Sequence, residues 1–445
     1  MSYKVIIIGA GPAGIFAALT LADLGITPVL LLEQGDDINK RTHEIGADIL
    51  RGWGGAGAYS DGKLTLSTDV GGVLGEYMEE KTLYSLLERT DKTYAKYGAP
   101  DRIFGERNAR TDALIDRAKL ADLEFIPSRI RHIGTENCRI VLENFRKDLD
   151  GRIEIETNHP VERLLIRDGY ISVMLSDGTF VDSEFVIIAP GRSGAKWMQI
   201  QAAMLGIKTK STSVDIGVRV ELPAAVLAEL TDIAYESKLV HYSKTFDEKV
   251  RTFCMNPYGE VVAEVNDKII TVNGHSYADK RTENTNFAIL VSSSFTEPFN
   301  DPIAYGQYIA RLANLLGGGP IVQRLGDLLA GRRSTPEKMA RGLVKPTLPG
   351  ATPGDLSFVF PYRHLLSIIE MIQALDKLAP GVNSRHTLLY GVEVKFYSNR
   401  IEVNSEMETK IKNLFVIGDG AGITRGLLQA SASGILAAEA VARKT

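Results

Sequence analysis

The chain has 445 residues, more than one typical domain holds and enough for two or three domains with sizeable cores. Its 44% hydrophobic and 24% charged residues are ordinary values for a folded globular protein. The 51 Lys and Arg against 55 Asp and Glu give a formal charge of −4, which offers no footprint for nucleic acid or an anionic membrane surface. Composition and charge therefore favour a folded globular enzyme, and neither nucleic acid nor a membrane surface is expected as a partner.

The cysteines and the first residues of the chain indicate where in the cell the protein is located. Cys138 and Cys254 are the two cysteines and form no C-x-x-C, so neither a disulfide framework nor a closely spaced redox dithiol is expected. The apolar start, residues 5–10, is broken by glycine and proline and lacks a basic flank, so it predicts a strand and not a signal peptide. No run approaches the roughly 20 apolar residues of a membrane span. We expect a cytoplasmic protein, and the sequence does not indicate its oligomeric state.

The first stretch, KVIIIGAGPAGIFAALTLADLGITPVLLLE, predicts a complete βαβ unit. An apolar strand over residues 5–8 is followed by G-x-G-x-x-G, a helix that runs to Gly25, and a second strand over residues 28–32. In that motif the first glycine permits a tight turn, the second lets backbone approach a pyrophosphate, and the third packs helix on strand. Glu33 then falls where a ribose hydroxyl needs an acceptor, and the helix N-terminus suits a diphosphate. The unit predicts dinucleotide binding; the alternative is an ordinary glycine turn.

A second informative stretch runs from Arg51 to Gly72 and holds seven glycines among 22 residues. Trp53 and Tyr59 make it too apolar for a flexible linker, so backbone lying close to a flat ligand would explain the mixture. A surface Ω-loop is the alternative. Within it, Lys63 in SDGKL would place a cation beside the ligand, unless it is a solvated loop lysine.

The middle of the first half predicts helices first and then short strands. Residues 74–98, 111–122 and 136–149 predict helices. Four short runs at 153–156, 161–166, 170–175 and 180–181, separated by Asp-Gly pairs, predict a β-meander. FVIIAPG, residues 185–191, then predicts a buried parallel strand that returns to the first sheet.

The second half predicts a separate β-rich region and a return to α/β. Strand-like runs between residues 214 and 293 lack alternating helices, which predicts a mainly antiparallel sheet covered by helices at 301–316 and 321–330. A helix at 361–378 and strands at 388–396 and 400–403 follow. The ending predicts a buried strand at 414–417, a turn at 418–422, and a helix whose small residues, 430–440, let it sit tightly on a sheet.

Three of these motifs together resemble the flavoproteins built on the glutathione-reductase type of FAD domain. GAGPAG with Glu33 resembles the ADP-binding end, FVIIAPG the strand that this family ends in A-T-G, and FVIGDGAG its second flavin motif. Pro190 replaces the threonine of A-T-G, which removes a hydroxyl and keeps the turn. More narrowly, GGAGAYSDGKL and GDGAGITRGLLQASASG are similar to bacterial and archaeal FAD-dependent dehydrogenases described as NAD(FAD)-utilising, over most of the chain.

This resemblance implies that Asp419 hydrogen-bonds the ribityl chain of non-covalently bound FAD. It also implies an α/β fold, in which a Rossmann-like FAD-binding domain carries an inserted, mainly antiparallel β substrate domain. The predicted boundaries are 1–205 for the N-terminal part of the FAD domain with a helical insertion at about 73–125, 206–350 for the substrate domain, and 351–445 for the C-terminal part of the FAD domain.

Several residues are candidates for chemistry beyond cofactor binding. No second G-x-G-x-x-G occurs in mid-chain, where a nicotinamide-binding domain would carry it, so NAD(P)H, if used, must be a transient donor. Cys254 could face the flavin or be a structural thiol, and the histidines show no metal-ligand spacing. Arg332 and Arg333 could grip a phosphate or be a solvated pair. Tyr362 and Arg363 could face a substrate pocket or merely cap and pack a helix.

The sequence thus predicts an FAD-dependent dehydrogenase or reductase that moves a hydride or electron pair between two small molecules. The alternative is a protein with structural or sensory FAD and a partner-binding β domain. The candidate catalytic residues are Lys63, Tyr362 and Arg363. The candidate cofactor-binding residues are Gly9, Gly11, Pro12, Ala13, Gly14, Glu33, Gln34, Arg41, Gly55, Ala56, Gly62, Lys63, Val161, Ala189, Pro190, Gly191, Gly418, Asp419, Gly422, Ile423 and Gln429.

Overall fold

A computed structural model of the chain describes residues 2–41, 50–59, 62–234, 237–266, 269–276, 281–295, 299, 301–395 and 399–445. The fold is mixed α/β. Two compact units are present, the first composed of Met1–Phe104, Arg129–Thr212 and Tyr397–Thr445, the second of Gly105–Ser128 and Ser213–Phe396. The first unit is therefore built from three separate stretches of chain and the second from two. The predicted boundaries at 205/206 and 350/351 stay a prediction.

Strands and helices alternate irregularly along the chain. The strands are β1 (Ser2–Ile8), β2 (Val29–Glu33), β3 (Lys63–Leu66), β4 (Ile103–Phe104), β5 (Glu124–Ile126), β6 (Arg129–His132), β7 (Glu154–Thr157), β8 (Val161–Arg167), β9 (Tyr170–Leu175), β10 (Phe180–Ile188), β11 (Thr209–Lys210), β12 (Val214–Pro223), β13 (Lys238–Tyr242), β14 (Lys249–Asn256), β15 (Glu260–Asn266), β16 (Ile269–His275), β17 (Asn284–Ser293), β18 (Ile321–Arg324), β19 (Thr352–Pro353), β20 (Leu388–Lys395), β21 (Arg400–Ile401) and β22 (Leu414–Val416). The α-helices are α1 (Pro12–Asp23), α2 (Glu80–Lys96), α3 (Ala109–Leu120), α4 (Thr135–Leu149), α5 (Ala195–Met204), α6 (Ala224–Ile233), α7 (Pro302–Gly317), α8 (Leu325–Leu329), α9 (Pro336–Ala340), α10 (Tyr362–Leu378) and α11 (Leu427–Lys444).

The main sheet of the first unit brings parallel strands to a common edge. Its order is β7-β2-β1-β10, all parallel, with β22 parallel to the carboxyl-terminal half of β10 and β9 antiparallel to the other half. Residues 5–8 of β1 and all of β2 are buried, as expected for strands covered on both faces. The carboxyl ends of the parallel strands therefore lie side by side. Turns that begin at Gly9, Ala189 and Ile417 follow β1, β10 and β22 there.

Two strand predictions in this sheet are corrected by the pairing. The run at 153–156 is not part of the meander, because β7 pairs in parallel with β2, and only β8, β9 and β10 form the antiparallel succession. The runs at 180–181 and 185–188 are one continuous strand, since Asp182 and Ser183 keep pairing with β1. Long-range partners of this kind are invisible to local periodicity.

The last helix of the first unit packs on another helix. A Cβ added at Gly434 would lie 2.1 Å from the carbonyl oxygen of Ala13, so α11 and α1 are in backbone contact there. The small residues at 430–440 therefore serve mainly a helix–helix contact, which the sequence did not predict, and α11 also contacts the sheet strand β3. This contact holds α11 against the first turn of α1.

The second unit contains an eight-stranded sheet of order β19-β18-β20-β12-β17-β14-β13-β5. Its neighbours are antiparallel except β18 and β19, and β15 and β16 form a separate hairpin. The predicted helix at 321–330 is wrong in its first part, because Ile321–Arg324 is a strand paired with β20, and the helix covers Leu325–Leu329. Ile321 and Val322 are β-branched, and β-branched residues favour strands.

Both faces of the central strand β12 are buried. Alternate residues such as Val218 and Val220 join an apolar core. The opposite face carries Arg219, whose guanidinium donates to Glu393 at 3.2 Å and to Asn286 at 2.8 Å, so that the buried charge is paired. None of the helices in the described ranges has the length and apolar character needed to cross a membrane.

Candidate cofactor-binding site

The turn between β1 and α1 shows three glycines in three different surroundings. Gly9 has φ +104°, and a Cβ there would lie 2.2 Å from the carbonyl oxygen of Ala189. A Cβ at Gly14 would lie 1.8 Å from the carbonyl oxygen of Gly9. At Gly11, no described atom comes within 4 Å of an added Cβ. Two of the glycines are thus needed for close backbone packing, and the third leaves open space in front of the chain.

That open space lies at the beginning of α1. Pro12 and Ala13 occupy its first turn, and the first helical hydrogen bond runs from Ile15 N–H to the carbonyl of Gly11 at 2.9 Å. The N–H groups of a first helical turn have no partner within the helix, and they form the positive end of its dipole. An anionic diphosphate therefore fits this position.

Glu33 at the end of β2 is buried and organises the surrounding backbone. Its carboxylate accepts N–H donors from Ala10 at 2.7 Å, Gly35 at 2.9 Å and Gly52 at 2.8 Å. Because a carboxylate offers about four acceptor positions, three bonds leave room for one further donor such as a ribose hydroxyl. The role as ribose acceptor stays a prediction, and the tie to Gly52 was not anticipated from the sequence.

The glycine-rich stretch lies against the glycine turn. Gly54 N–H donates to the carbonyl of Ala10 at 2.8 Å, and a Cβ at Gly55 would lie 3.3 Å from the Cα of Gly11. Arg41 holds this backbone, because its Nη1 donates to the carbonyls of Trp53 at 2.7 Å and Gly55 at 2.9 Å. Gly55 and the half-buried Ala56 begin a 3₁₀ turn, Gly55–Tyr59.

Two further turns meet beyond β10 and β22. Ala189, Pro190 and Gly191 follow β10, and a Cβ at Gly420 would lie 2.3 Å from the carbonyl oxygen of Gly191. Gly418 and Gly422 adopt φ of +79° and +71° on either side of the short 3₁₀ helix Asp419–Ala421. The turn after β22 thus packs directly on the turn after β10.

Asp419 lies at this junction with two neighbours. Its Oδ1 accepts the Thr424 hydroxyl at 2.7 Å, and its Oδ2 lies 3.4 Å from Nε of Arg192. The Asp419 side chain is 19% exposed, so part of the carboxylate faces outward. The sequence did not predict that Arg192 and Thr424 contact Asp419. The one indication was that these residues come just after the APG and GDGAG motifs.

The end of the glycine-rich stretch also contacts the segment after the last turn. Val73 N–H donates to the carbonyl of Ile423 at 2.9 Å, and Arg425 N–H donates to Gly71 at 2.7 Å. Gln429 is buried, and its Nε2 donates to the carbonyl of Val70 at 2.9 Å. Its Oε1 is buried and has no partner among the described residues, so it can still accept a hydrogen bond.

The remaining candidates of the first unit lie on neighbouring elements. Gln34 Nε2 donates to Ser193 Oγ at 3.1 Å, which joins the ends of β2 and β10. Gly62 accepts Ile133 N–H at 3.0 Å, and half-buried Lys63 begins β3 opposite His132.

Val161 begins β8, which pairs with β9. It follows shortly after His159, whose N–H donates to the carbonyl of Glu33 at 2.9 Å. The Val161 side chain is half-buried. Its contact with the cofactor stays a prediction.

Tyr362 and Arg363 belong to the second unit. They begin α10, where Tyr362 is 71% exposed and lies edge-on to Phe246. Arg363 pairs with Glu248 at 2.9 Å and lies over the Phe246 ring. Their predicted catalytic role stays a prediction. In the described parts of the chain, no group of three His, Cys, Asp or Glu side chains could hold a metal ion.

Comparisons with known proteins point to one cofactor. Residues 4–44 match the family model described as FAD binding domain, residues 213–396 match FAD-dependent protein, C-terminal domain-like, and residues 351–445 match glucose inhibited division protein A. A Clostridium beijerinckii protein described as uncharacterized is 28% identical over 99% of this chain and 81% of its own length.

Solved structures also align with the chain at low similarity. A flavoprotein/dehydrogenase from Cytophaga hutchinsonii has a TM-score of 0.40 at 12% identity and covers all of this chain and 78% of its own. Glycine oxidase from Geobacillus kaustophilus has a TM-score of 0.40 at 12% identity and covers all of this chain and 95% of its own. Similarity of this degree does not define a substrate.

The family matches identify a flavoprotein. The protein is an FAD-dependent oxidoreductase, and FAD is its cofactor.

Proposed function

We propose that this oxidoreductase transfers a hydride or an electron pair between two small molecules, and that NAD(P)H is its candidate donor. The observation that carries the proposal is the glycine turn, where Gly11 alone faces open space at the beginning of a helix. We further infer that the FAD domain is of the glutathione-reductase type and carries an inserted, mainly antiparallel substrate domain.

The residues of the first unit have distinct roles in this proposal. Gly11 and the first turn of α1 bind the diphosphate, and the remaining acceptor position of Glu33 orients the ribose. Asp419 accepts a hydroxyl of the ribityl chain, and the unused Oε1 of Gln429 accepts a further donor of the cofactor. Bound FAD supplies the redox chemistry at its N5 atom, and the protein supplies position and electrostatics.

The proposed donor is transient because the sequence offers one dinucleotide motif. G-x-G-x-x-G lies between a strand and an α-helix at Gly9, Gly11 and Gly14, whereas its second match, at 52–57, runs into a 3₁₀ turn and none occurs in mid-chain. A nicotinamide donor would therefore reach the flavin without a second Rossmann domain of its own, and would leave after reduction.

Anaerobic mixing tests the proposal. The FAD-loaded protein is mixed with NADH, NADPH and panels of amines and alcohols, and the absorbance of the oxidised flavin is followed. We expect at least one donor to bleach it within a catalytic time. If none does while dithionite or light reduces the flavin, the proposal fails and a structural or sensory FAD becomes the better account.

A further inference from the structure

The chain from Arg324 to Lys345 in the second unit concentrates positive charge. It holds six Lys or Arg residues against two Asp or Glu residues. Part of this charge is gathered around the buried Asp327, a residue that the FAD chemistry does not use. We call Arg324, Asp327, Arg332 and Lys338 the Asp327 cluster.

Three cations surround one carboxylate in the Asp327 cluster. Arg324 Nη2 lies 2.8 Å from Oδ2, while Arg332 Nε and Lys338 Nζ lie 2.9 Å and 3.6 Å from Oδ1. The Asp327 side chain is fully buried, and Ser334 Oγ also donates to it at 2.9 Å. One negative charge thus holds three positive charges in place, and two remain in excess.

The carboxylate stays ionised in this setting. Burial alone would raise the pKa of Asp327, but hydrogen bonds from Arg332, Ser334 and Arg324 lower it to about 2. The positive field also reaches the neighbouring His386, because burial and the charges of Arg385 and Arg324 lower the pKa of its imidazole. The excess charge is therefore permanent at neutral pH.

The outward donors of the cluster are unused. Arg332 bonds Asp327 through Nε alone, so both of its terminal nitrogens have no acceptor among the described residues, and its side chain is 59% exposed. The adjacent Arg333 is exposed. Because Asp327 orients the planar guanidinium, its terminal N–H groups are preorganised for a bidentate acceptor.

We propose that the Asp327 cluster is a binding site for the phosphate group of a small phosphorylated molecule. A phosphate dianion matches the two excess charges, whereas a carboxylate would neutralise half of them, and phosphate oxygens accept bidentate guanidinium bonds. The site is independent of the proposed redox reaction and stands if that reaction is different.

Calorimetric titration of the FAD-loaded full chain with inorganic pyrophosphate at low salt tests this inference. We expect one saturable site in the wild-type protein and at least tenfold weaker binding in Arg332→Gln/Lys338→Gln. The matched control is Arg110→Gln/Lys119→Gln, which removes two exposed charges from α3 of the same unit and should leave the affinity within twofold.

Absence of a saturable site in the wild-type protein, or equal weakening in both double variants, would overturn the proposal. If the first double variant does not fold, Arg332→Gln alone retains Arg324, Lys338 and Ser334 on Asp327 and gives the same test. Competition by NADP⁺ but not NAD⁺ would identify a nucleotide 2′-phosphate as the ligand. Competition by neither would assign the site to another phosphorylated compound or to free phosphate, and both results support the site.

Discussion

Single residues decide what the glycine turn can hold. Its spacing in the sequence predicted a turn between a strand and a helix, but could not show which glycine faces protein and which faces open space. That distinction depends on the carbonyl oxygen of Ala189, which comes from a strand far along the chain. The donors to Glu33 were likewise hidden, since Gly52 reaches it only in the folded protein.

Replacing Gly11 with valine tests the open space. The new side chain meets no described protein atom at Cβ, so the apoprotein should fold normally while the diphosphate is excluded. We expect FAD content after reconstitution to fall at least about tenfold. The control is Gly350→Val in the second unit, also open at Cβ, which should bind FAD normally. Normal FAD content in Gly11→Val would mean that the diphosphate does not lie there.

Replacing Lys63 with methionine tests its predicted role beside the flavin. Reduction adds negative charge to the cofactor, and a unit charge about 4 Å away at an effective dielectric near 20 contributes about 4 kcal/mol at most. Because the Lys63 side chain is half-buried, solvent leaves about a third of this interaction energy. That energy corresponds to a shift of about 30 mV in the midpoint potential of a two-electron couple. Spectroelectrochemical titration should therefore show a midpoint potential lower by some tens of millivolts. Lys63→Arg keeps the charge and should keep the potential; an unchanged value in Lys63→Met would remove Lys63 from the site.

Cys254 is expected to be dispensable for turnover. Its φ is +42°, and its carbonyl oxygen accepts Arg219 Nη2 at 2.7 Å, a bond that does not involve the thiol. Cys254→Ser preserves that carbonyl, so most of the activity with the reducing donor should remain. Loss of turnover with intact FAD content would instead identify a catalytic thiol and a different mechanism.

At the scale of elements, local sequence patterns predicted where helices and strands occur better than they predicted which elements pair or pack together. The buried runs of β1, β2 and β10 were predicted because each is a continuous series of apolar residues, as in strands covered on both faces. The pairing of β7 with β2 and of β18 with β20 was not, because it depends on chain segments more than 60 residues apart. The small residues of α11 were noticed, but their sequence could not tell a helix partner from a sheet.

The α1–α11 contact predicts the effect of one methyl group. Gly434→Ala would bring its Cβ within 2.1 Å of the Ala13 carbonyl, so the two helices must separate. Overpacking of this kind costs about 1–3 kcal/mol, and we expect a lower melting temperature together with weaker FAD binding. Gly319→Ala, which meets no described atom within 4 Å, is the control and should change stability by less than about 0.5 kcal/mol.

At the scale of the whole molecule, a buried histidine makes the second unit sensitive to acid. His364 in the second unit is buried, with Nε2 3.0 Å from Ser293 Oγ and Nδ1 without a partner among the described residues. Burial, with a smaller effect of Arg363, lowers the pKa of its imidazole to about 4. The unfolded chain binds this proton at a pKa near 6.5, so the folded state is at a disadvantage at lower pH.

The second unit should therefore lose stability as the pH falls from about 6.5 to about 4, by about 3 kcal/mol from His364 alone. Denaturant unfolding at pH 7 and pH 4, followed by far-UV circular dichroism, measures this loss. His364→Gln should lose less stability than the wild-type protein over the same interval. Equal pH dependence in the two proteins would show that His364 is not buried in its neutral form.

The three-part construction of the first unit has a consequence for how the protein is made. A ribosome releases the chain from the N-terminus, so β1, α1 and β2 emerge long before β22 and α11. The second unit is complete in sequence once residue 396 has emerged, but β10 lacks its β22 neighbour until residues 414–416 follow. The first unit therefore remains incomplete while the ribosome synthesises the whole second unit. Because FAD binding is proposed to need residues after β22, we expect it to be one of the last steps in the folding of this protein.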